Sequence, residues 1–356
     1  AGADITDGFG TSLATGQLTF NYDGSTAVSD EYLAIGAPDS NSTRGGVIIY
    51  RLRSGTWSAH QYIAPVSASV GDEFGKALAI SQDARWLYIG APGEDKVYAY
   101  GLDTKLTEQS TTITGDGSTT VHALGFTPKS LTSIFVQDAS GVIYRPTTDY
   151  TVSGSDITFV TAPSVNVTVT ENFSYKYIAT LTASDGDAGD QFGASVWTST
   201  DGTQTVIGAP RHDNAGTDST VDSGAAYVFD RTVEAFEGDG STTVFTTQRT
   251  MDADVNKVTV NGVLQDQRKG LDAYWDYSVS STTLTFNEAP ASSAVIKVDT
   301  NTFIQMQKMA EQTANTRGVG NEFGKSVLIC PTDCSIYLGN PSDDPRELRN
   351  SGSVDR

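Results

Sequence analysis

One composite pattern occurs four times along the chain, and it constrains the fold more than any other feature. Each copy begins with a polar residue and a Phe-Gly pair. A short apolar run, a turn, a second apolar run ending in Gly-Ala-Pro or Gly-Asn-Pro, a polar loop and a third apolar run follow. The copies cover residues 7–52, 71–102, 189–232 and 320–356. Repetition of one supersecondary unit predicts a small sheet for each copy, stacked against its neighbours.

Residue usage between the repeats also favours strands. Thr, Ser, Val and Tyr are frequent, polar and apolar residues alternate in runs such as TVSGSDITFV, and helical periodicity is nearly absent. The run FIQMQKMAEQ is the one stretch that could form a helix, but its position after the third repeat fits an outer strand better. The sequence therefore predicts an all-β protein.

The spacing of the Phe-Gly pairs indicates two insertions. Phe9 and Phe74 are 65 residues apart, whereas the next two intervals are 118 and 131 residues. A four-stranded propeller blade takes about 40–50 residues, so each long interval holds additional chain. The two additions are similar, because both open with GDGSTT and continue with Asp-Tyr-x-Val-Ser, Thr-Phe and Ala-Pro.

Both additions are predicted to lie between the third strand of a repeat and a following outer strand. The outer strands are TWSAHQYIAP, YKYIATLTA and TFIQMQKMA. An exposed edge accepts inserted chain because loop closure costs little there and central packing is undisturbed. The predicted parts are blades one and two (1–108), a first inserted β-sandwich (109–173), the outer strand of blade two with blade three (174–232), a second inserted β-sandwich (233–301), and the outer strand of blade three with a partial blade four (302–356).

The recurring residues are interpreted as packing residues rather than catalytic ones. An aromatic ring at the start of an inner strand can fill the gap between neighbouring sheets, and the glycine after it allows close backbone approach. Proline ends strand pairing because it lacks an amide hydrogen. The positions are Phe9, Gly10, Gly36, Pro38, Phe74, Gly75, Gly90, Pro92, Phe192, Gly193, Gly208, Pro210, Phe323, Gly324, Gly339 and Pro341.

These elements resemble the FG-GAP repeat, the blade unit of integrin α-subunit propellers and of many bacterial and phage surface proteins. The resemblance implies a β-propeller with four blades in this chain. The fourth unit stops inside its third strand, and an unpaired strand edge invites pairing. We therefore expect a longer parent chain or partner subunits that complete the ring.

The calcium sites of that family are not expected here. Its calcium-binding blades carry an Asp-x-Asp-x-Asp-Gly loop, whereas the corresponding loops SQDAR, STDGTQ and PTDCS hold one carboxylate each, and calcium prefers about six to eight oxygen ligands. We expect solvated loops rather than a metal site at the other acidic stretches. The positions there that could ligate a cation are Asp185, Asp187, Asp190, Asp213, Asp218 and Asp222.

The inserted segments resemble small β-sandwich modules of structural proteins from tailed bacteriophages, particularly those of marine cyanobacteria. The GDGSTT openings, the turn at 261–264 and the run 276–290 carry this resemblance. The matching turn of the first segment, QDASGVIY, lacks the Asn-Gly-Val form and is the less similar copy.

Charge and motif content exclude several classes of function. With 23 basic and 43 acidic residues the net charge is −20, which repels nucleic acid. No apolar run approaches the roughly 18–20 residues needed to span a bilayer. His60, His122 and His212 have no metal-ligand or nucleophile spacing, and GNEFGKS has the wrong spacing for a phosphate loop. We expect no enzyme activity and no cofactor.

The two cysteines, Cys330 and Cys334, leave two interpretations open. Their spacing in CPTDC allows a bridge across a tight hairpin. Two part-buried thiols explain the same pattern.

The resemblances imply a virion structural protein of the tail, fibre or baseplate periphery. Its expected partners are other virion proteins, further copies of itself and a glycan of the host surface. One alternative is a secreted or cell-surface bacterial adhesin or glycan-binding protein that uses the loops 39–44 and 211–223. Another is a polysaccharide-degrading enzyme whose carboxylates converge from distant loops.

Overall fold

The computed structural model describes residues 8–21, 27–40, 44–65, 69–104, 108–213, 223–265, 276–310, 322–330, 335–339 and 353–354. The fold of these residues is all-β, as the sequence predicts. Within them, no helix is both long and apolar enough to cross a bilayer.

Most strands are short, and all pairs between these strands are antiparallel. In chain order they are β1 (Ser12–Asn21), β2 (Ala27–Gly36), β3 (Val47–Arg53), β4 (Thr56–Ile63), β5 (Ala77–Ile80), β6 (Trp86–Ala91), β7 (Lys96–Asp103), β8 (Gln109–Ile113), β9 (Val121–Ala123), β10 (Ile134–Asp138), β11 (Ile143–Tyr144), β12 (Tyr150–Ser153), β13 (Asp156–Phe159), β14 (Val167–Glu171), β15 (Ser174–Leu181), β16 (Ser195–Thr198), β17 (Gln204–Ala209), β18 (Ala225–Glu237), β19 (Val244–Thr246), β20 (Val258–Val260), β21 (Val263–Leu264), β22 (Tyr277–Ser280), β23 (Thr283–Phe286), β24 (Val295–Ala310), β25 (Ser326–Ile329), β26 (Ile336–Gly339) and β27 (Ser353–Val354).

Each of the four repeats forms one antiparallel sheet. Sheet I is β1-β2-β3-β4, sheet II is β5-β6-β7-β15, sheet III begins as β16-β17-β18-β24, and sheet IV is β25-β26-β27. Residues 303–310 of the run that could have formed a helix lie in β24, which pairs with β18. The last two residues of that run lie outside the described residues. The first strand of every sheet follows a Phe-Gly pair, and the second strand reaches the glycine of the Gly-Ala-Pro or Gly-Asn-Pro element.

Two segments interrupt this pattern, and they have the same topology. The first inserted segment (109–171) lies between β7 and β15, and its sheets are β11-β10-β14-β8 and β12-β13-β9. The second inserted segment (233–299) has the matching order β21-β20-β24-β18 and β22-β23-β19. In each segment, side chains from both sheets form one apolar core. The similarity of the two sequences therefore extends to strand order.

The GDGSTT turns also adopt one geometry. Asp116 accepts hydrogen bonds from the backbone N–H groups of Ser118 and Thr119 and from the Thr119 hydroxyl, at 2.6–2.8 Å. Asp239 accepts the equivalent three bonds at 2.6–2.7 Å. These bonds favour the charged carboxylate, so they hold the pKa of both aspartates well below the usual range.

The two inserted segments differ in how they connect to the repeat sheets, sheet II for the first segment and sheet III for the second. β7 and β8 are separate strands, whereas β18 and β24 run without a break from sheet III into the second inserted segment. Register shifts between Val228 and Phe229 and between Arg231 and Val233 mark the crossing. The buried Arg231 forms an ion pair with Asp299 there, and its guanidinium lies 4.0 Å from the ring centroid of Trp86 in sheet II.

Sheets I to IV stack in sequence order through three apolar clusters. One cluster joins sheets I and II, the next joins sheets II and III, and the last joins sheets III and IV. Phe74 and Phe192 are 0% and 1% exposed and belong to the first two clusters. Phe9 does not fill a gap between sheets as the sequence predicts, since no described sheet precedes sheet I, and its side chain is 43% exposed.

All four Phe-Gly glycines have the same backbone geometry. Gly10, Gly75, Gly193 and Gly324 have φ between +85° and +96°, a conformation that glycine adopts without steric cost. The backbone N–H of each donates a hydrogen bond to the carbonyl oxygen of the second-strand glycine in the same repeat, with N···O distances of 2.9–3.1 Å. The carbonyl oxygens of Gly75, Gly193 and Gly324 lie against a glycine of the preceding sheet.

A glycine-on-carbonyl contact recurs at each junction between neighbouring sheets. A Cβ atom added to Gly36, Gly90 or Gly208 would overlap the carbonyl oxygen of the Phe-Gly glycine in the next sheet. The overlapped oxygens belong to Gly75, Gly193 and Gly324 respectively. Ser12 and Ser195 Oγ donate to the Gly75 and Gly324 carbonyl oxygens at 2.6 and 2.7 Å. Gly339 has no following sheet within the described residues, and Pro341 lies outside them. The second-strand glycines are therefore required by packing between sheets.

Gly90→Ala is expected to destabilise the protein by about 3 kcal/mol, because its methyl group meets a backbone carbonyl that cannot rotate away. Gly125→Ala is the control. Gly90 lies within β6 and has no positive φ, whereas Gly125 has a φ of +78°, and a Cβ atom at Gly125 has no heavy atom within 4 Å. The cost at Gly125 is therefore limited to about 1–2 kcal/mol of backbone strain. Urea unfolding measures both. A smaller loss for Gly90→Ala than for Gly125→Ala would contradict the packing role.

Candidate functional site

Five polar side chains from four parts of the chain meet beside sheet III. Asp185 and Asp190 lie in the loop between β15 and β16, and His212 follows β17. Tyr227 and Lys308 lie on the paired strands β18 and β24. We call these five residues the His212 network.

The imidazole of His212 is at the centre of the network. It is buried, with 3% of its surface exposed. Nδ1 lies 2.6 Å from Asp190 Oδ2, and Nε2 lies 2.7 Å from Lys308 Nζ. Since a lysine ammonium only donates and a carboxylate only accepts, the partners assign the proton to Nδ1 and leave Nε2 as an acceptor. The ring is therefore neutral in this arrangement.

Asp185 connects the other side of the network. Lys308 Nζ donates to Asp185 Oδ2 at 2.7 Å, and the Tyr227 hydroxyl donates to Asp185 Oδ1 at 2.9 Å. Partial burial raises the pKa of the Asp185 carboxyl, but the two donors outweigh it and hold that pKa below its usual value. Burial and the Asp185 charge raise the pKa of Tyr227. Every polar group named here has a partner, so the network fixes the loop to sheet III.

The acidic residues that the sequence offered as possible cation ligands, in loops expected to be solvated, have other contacts in the structure, and Asp190 is buried. Asp185 and Asp190 face Lys308 and His212, and the backbone N–H of Asp187 donates to Asp190 Oδ2 at 2.8 Å. Asp213 is exposed, and Asp218 and Asp222 lie outside the described residues. Across the described part of the chain, no three His, Cys, Asp or Glu side chains form a group that could hold a metal ion.

A second charged cluster joins the two inserted segments to each other. Lys129 of the first segment binds Asp103 of sheet II and Asp254 of the second segment, both at 2.7 Å. Lys176 on β15 binds Asp252 at 2.9 Å and Asp254 at 3.0 Å. Partial burial lowers the pKa of both lysines, but hydrogen bonds to the aspartates outweigh it and raise those pKa values overall. We call these five residues the Lys129 cluster.

The remaining histidines and cysteines lie apart from both clusters. His60 on β4 contacts the Phe173 carbonyl oxygen through Nε2, and burial together with the charge of Arg51 lowers its pKa to about 3. His122 lies 3.0 Å from the Thr119 carbonyl oxygen. Cys330 is half-buried after β25, and Cys334 lies outside the described residues, so both interpretations of the two cysteines, a bridge or two thiols, stay open.

Sequence reasoning missed the central residues of both clusters. It interpreted His212 as a loop residue without a role and did not consider Tyr227, Lys308, Lys129 or Lys176. Asp185 and Lys308 are 123 residues apart in the chain, and no local motif connects them. Only the stacking of sheets and the return of β24 beside β18 bring them together.

Comparison with known families supports the repeat interpretation over part of the chain. Residues 175–229 match the FG-GAP repeat family, a stretch that runs from β15 to the first part of β18. No curated protein matches this chain. Among solved structures, the hydrazine synthase of Kuenenia stuttgartiensis aligns with 94% of this chain and 74% of its own at 13% identity, with a TM-score of 0.23. A likeness of that size carries no argument about fold or function.

Lys308→Met is expected to raise the pKa of Asp185 toward or above its ordinary value of about 3.9, because the stronger charged donor is lost. In the wild type, Asp185 stabilises the fold above that pH, and its contribution is lost as pH falls through the lowered pKa. In the variant the gap between the unfolded-state and folded-state pKa values of Asp185 narrows or closes, so this pH-dependent stabilisation shrinks or disappears. Carboxyl-detected NMR titration measures the shift.

Two further variants control for this prediction. Tyr227→Phe removes the neutral donor and should raise the Asp185 pKa less. Lys325→Met removes a lysine that pairs with Glu322 in sheet IV and should leave Asp185 unchanged. An unchanged Asp185 pKa in Lys308→Met would contradict the network.

Lys129→Met combined with Lys176→Met is expected to speed amide exchange in residues 252–258 by about 10-fold. Exposed ion pairs contribute about 0.2–1 kcal/mol each, and the double variant removes four of them. Hydrogen exchange detected by mass spectrometry measures the change, with Lys297→Met, an exposed lysine of β24, as the control. Unchanged exchange would show that the cluster does not hold the segments together.

Proposed function

We propose that this protein is a non-enzymatic structural protein of a virion, located at the periphery of the tail, fibre or baseplate. In this proposal sheets I to IV are four blades of a β-propeller, and the two inserted segments are β-sandwich modules carried at its rim. The chain acts as a rigid platform that displays the modules and contributes to host attachment. Its partners are other virion proteins, copies of itself and a host surface glycan.

The propeller part of the proposal is supported by stacking. Three successive junctions use the same glycine-on-carbonyl contact, and residues 175–229 match the FG-GAP repeat family. Antiparallel sheets that pack face to face through their first strands form the radial arrangement of a propeller. This is the architecture that the repeat implies.

The platform role is carried by one observation, the Lys129 cluster. Each inserted segment is connected at both ends to two paired strands of the repeat sheet that carries it, β7 and β15 of sheet II or β18 and β24 of sheet III. This double connection restricts the orientation of the segment. The cluster adds ion pairs between the first segment, sheet II and the second segment. Two modules fixed to a scaffold and to each other suit display better than independent movement.

Surface charge restricts how such a platform could contact a host. The net charge of −20 repels an anionic cell envelope at low ionic strength. Contact with a neutral glycan, or contact at high salt where the Debye length falls to about 3 Å, avoids this repulsion. The proposed attachment therefore does not depend on charge attraction.

Mass spectrometry and electron microscopy of purified virions test this proposal. The chain is expected in purified particles at a constant ratio to the other tail proteins, and an antibody against it should label the tail periphery. A host lysate without particles provides the control for co-purification. Absence of the chain from washed particles would overturn the virion assignment while leaving the fold untouched.

A further inference from the structure

The His212 network contains a hydrogen bond that exists in only one protonation state of its histidine. Lys308 Nζ lies 2.7 Å from His212 Nε2, and an ammonium group can only donate. The nitrogen that it meets is therefore unprotonated. The other ring nitrogen, Nδ1, lies 2.6 Å from Asp190 Oδ2 and carries the ring proton. A second proton on this imidazole can bind only at Nε2, where the lysine already donates.

The carboxylate of Asp185 is the alternative partner for a protonated Nε2. Asp185 Oδ2 accepts from Lys308 Nζ at 2.7 Å and lies 3.9 Å from His212 Nε2. When Nε2 gains a proton it becomes a donor beside the ammonium group, and the two positive charges repel each other. The Lys308 side chain is 25% exposed, so it can turn toward solvent. The protonated Nε2 can then donate to the same carboxylate oxygen.

The groups around the imidazole suit a protonated ring. The charged and titratable groups beside it, among the described residues, are Asp185, Asp190, Arg211, Asp213, Tyr227 and Lys308. Arg211 and Asp213 are exposed. Burial and the hydrogen bond to Asp185 raise the pKa of Tyr227, so its hydroxyl stays neutral in mild acid. In the buried part of the network two carboxylates face one ammonium group, and a proton on His212 balances the remaining negative charge.

Sheet II repeats this scaffold without an imidazole. Asp72 holds the place of Asp190, and each backbone carbonyl oxygen accepts from the residue that follows the proline of its repeat, at 3.2 and 3.0 Å respectively. Glu94 holds the place of His212, because both are the second residue after Gly-Ala-Pro. A carboxyl group cannot become a cation when it gains a proton. The exchange described above is therefore a property of His212 and not of the repeat.

We propose that His212 is an acid-responsive switch between the loop at 182–194 and strand β24. With a neutral imidazole, Lys308 donates to His212 and to Asp185 and connects the loop to β24. When His212 takes up a proton, Lys308 leaves Nε2, and Asp185 accepts from the imidazole instead. The ionic contact of the loop thereby passes from β24 to the turn after β17. The proposal does not depend on the virion assignment.

Two other contacts keep the change local. A protonated imidazole still donates from Nδ1 to Asp190, and a charged donor strengthens that bond. Gln305 of β24 forms two hydrogen bonds with Ser184 of the loop, both at 3.0 Å, and neither depends on the proton. The loop therefore stays beside sheet III while Lys308 and the end of β24 lose one contact.

Nitrogen-15 NMR of histidine and lysine side chains on the 356-residue chain tests the exchange of partners. The titration runs from about pH 8 to about pH 5, the range in which histidines commonly titrate. At the upper end His212 should carry its proton on Nδ1 and none on Nε2. As Nε2 becomes protonated, the Lys308 Nζ signal should change in the same step. The chain has three histidines, and His122→Gln, in the first inserted segment, is the control variant that should leave this step unchanged.

Hydrogen exchange measured over the same pH range tests the effect on β24. After correction for intrinsic exchange rates, amide protection of residues 305–309 should fall about 2- to 5-fold in the wild type and in His122→Gln, as expected for the loss of one partly exposed ion pair. His212→Gln cannot gain the charge, so its protection should stay constant. Circular dichroism melting checks that both variants are folded.

Three results would overturn the switch. The first is a proton on His212 Nε2 at the upper end of the titration. The second is a Lys308 signal that stays unchanged while His212 becomes protonated. The third is an equal loss of β24 protection in wild type and in folded His212→Gln. The first two are read from the wild type, so they hold even if the variant does not fold.

Discussion

The contact between a second-strand glycine and the carbonyl group of the next Phe-Gly pair sets the spacing of sheets I to IV. It places backbone against backbone at Gly36, Gly90 and Gly208, so the apolar side chains on either side can interlock without a void. The positive φ of the Phe-Gly glycines aims the carbonyl at this contact. The close approach of each sheet to the next in the stack depends on it.

Local repetition made much of this architecture predictable. The Phe-Gly pairs and the glycines that end the second strands recur in sequence, so an all-β fold with one small antiparallel sheet for each repeat could be deduced before any coordinates. The same logic identified residues 302–310 as a strand, because the repeat required an outer strand there. For Phe9 the predicted packing between sheets stays a prediction, because no sheet precedes sheet I among the described residues and its side chain is 43% exposed there.

The polar clusters were not predictable, for a physical reason. Asp185, His212 and Lys308 lie on separate strands and loops, and their partnership depends on tertiary stacking rather than on spacing along the chain. Lys129 and Asp254 meet because two inserted segments happen to be neighbours in space. In an acidic protein with 43 carboxylates, sequence alone gives no way to choose which of them a lysine will pair with. The His212 network and the Lys129 cluster hold a loop and the inserted segments against the sheets. This is the rigidity that the proposed platform role requires.

An experimental structure of the full chain, by crystallography or electron cryomicroscopy, tests the central claim most directly through the three sheet junctions. The account predicts van der Waals contact between the Cα atoms of Gly36, Gly90 and Gly208 and the carbonyl oxygens of Gly75, Gly193 and Gly324. Sheets separated at these glycines, or stacked in another order, would contradict it.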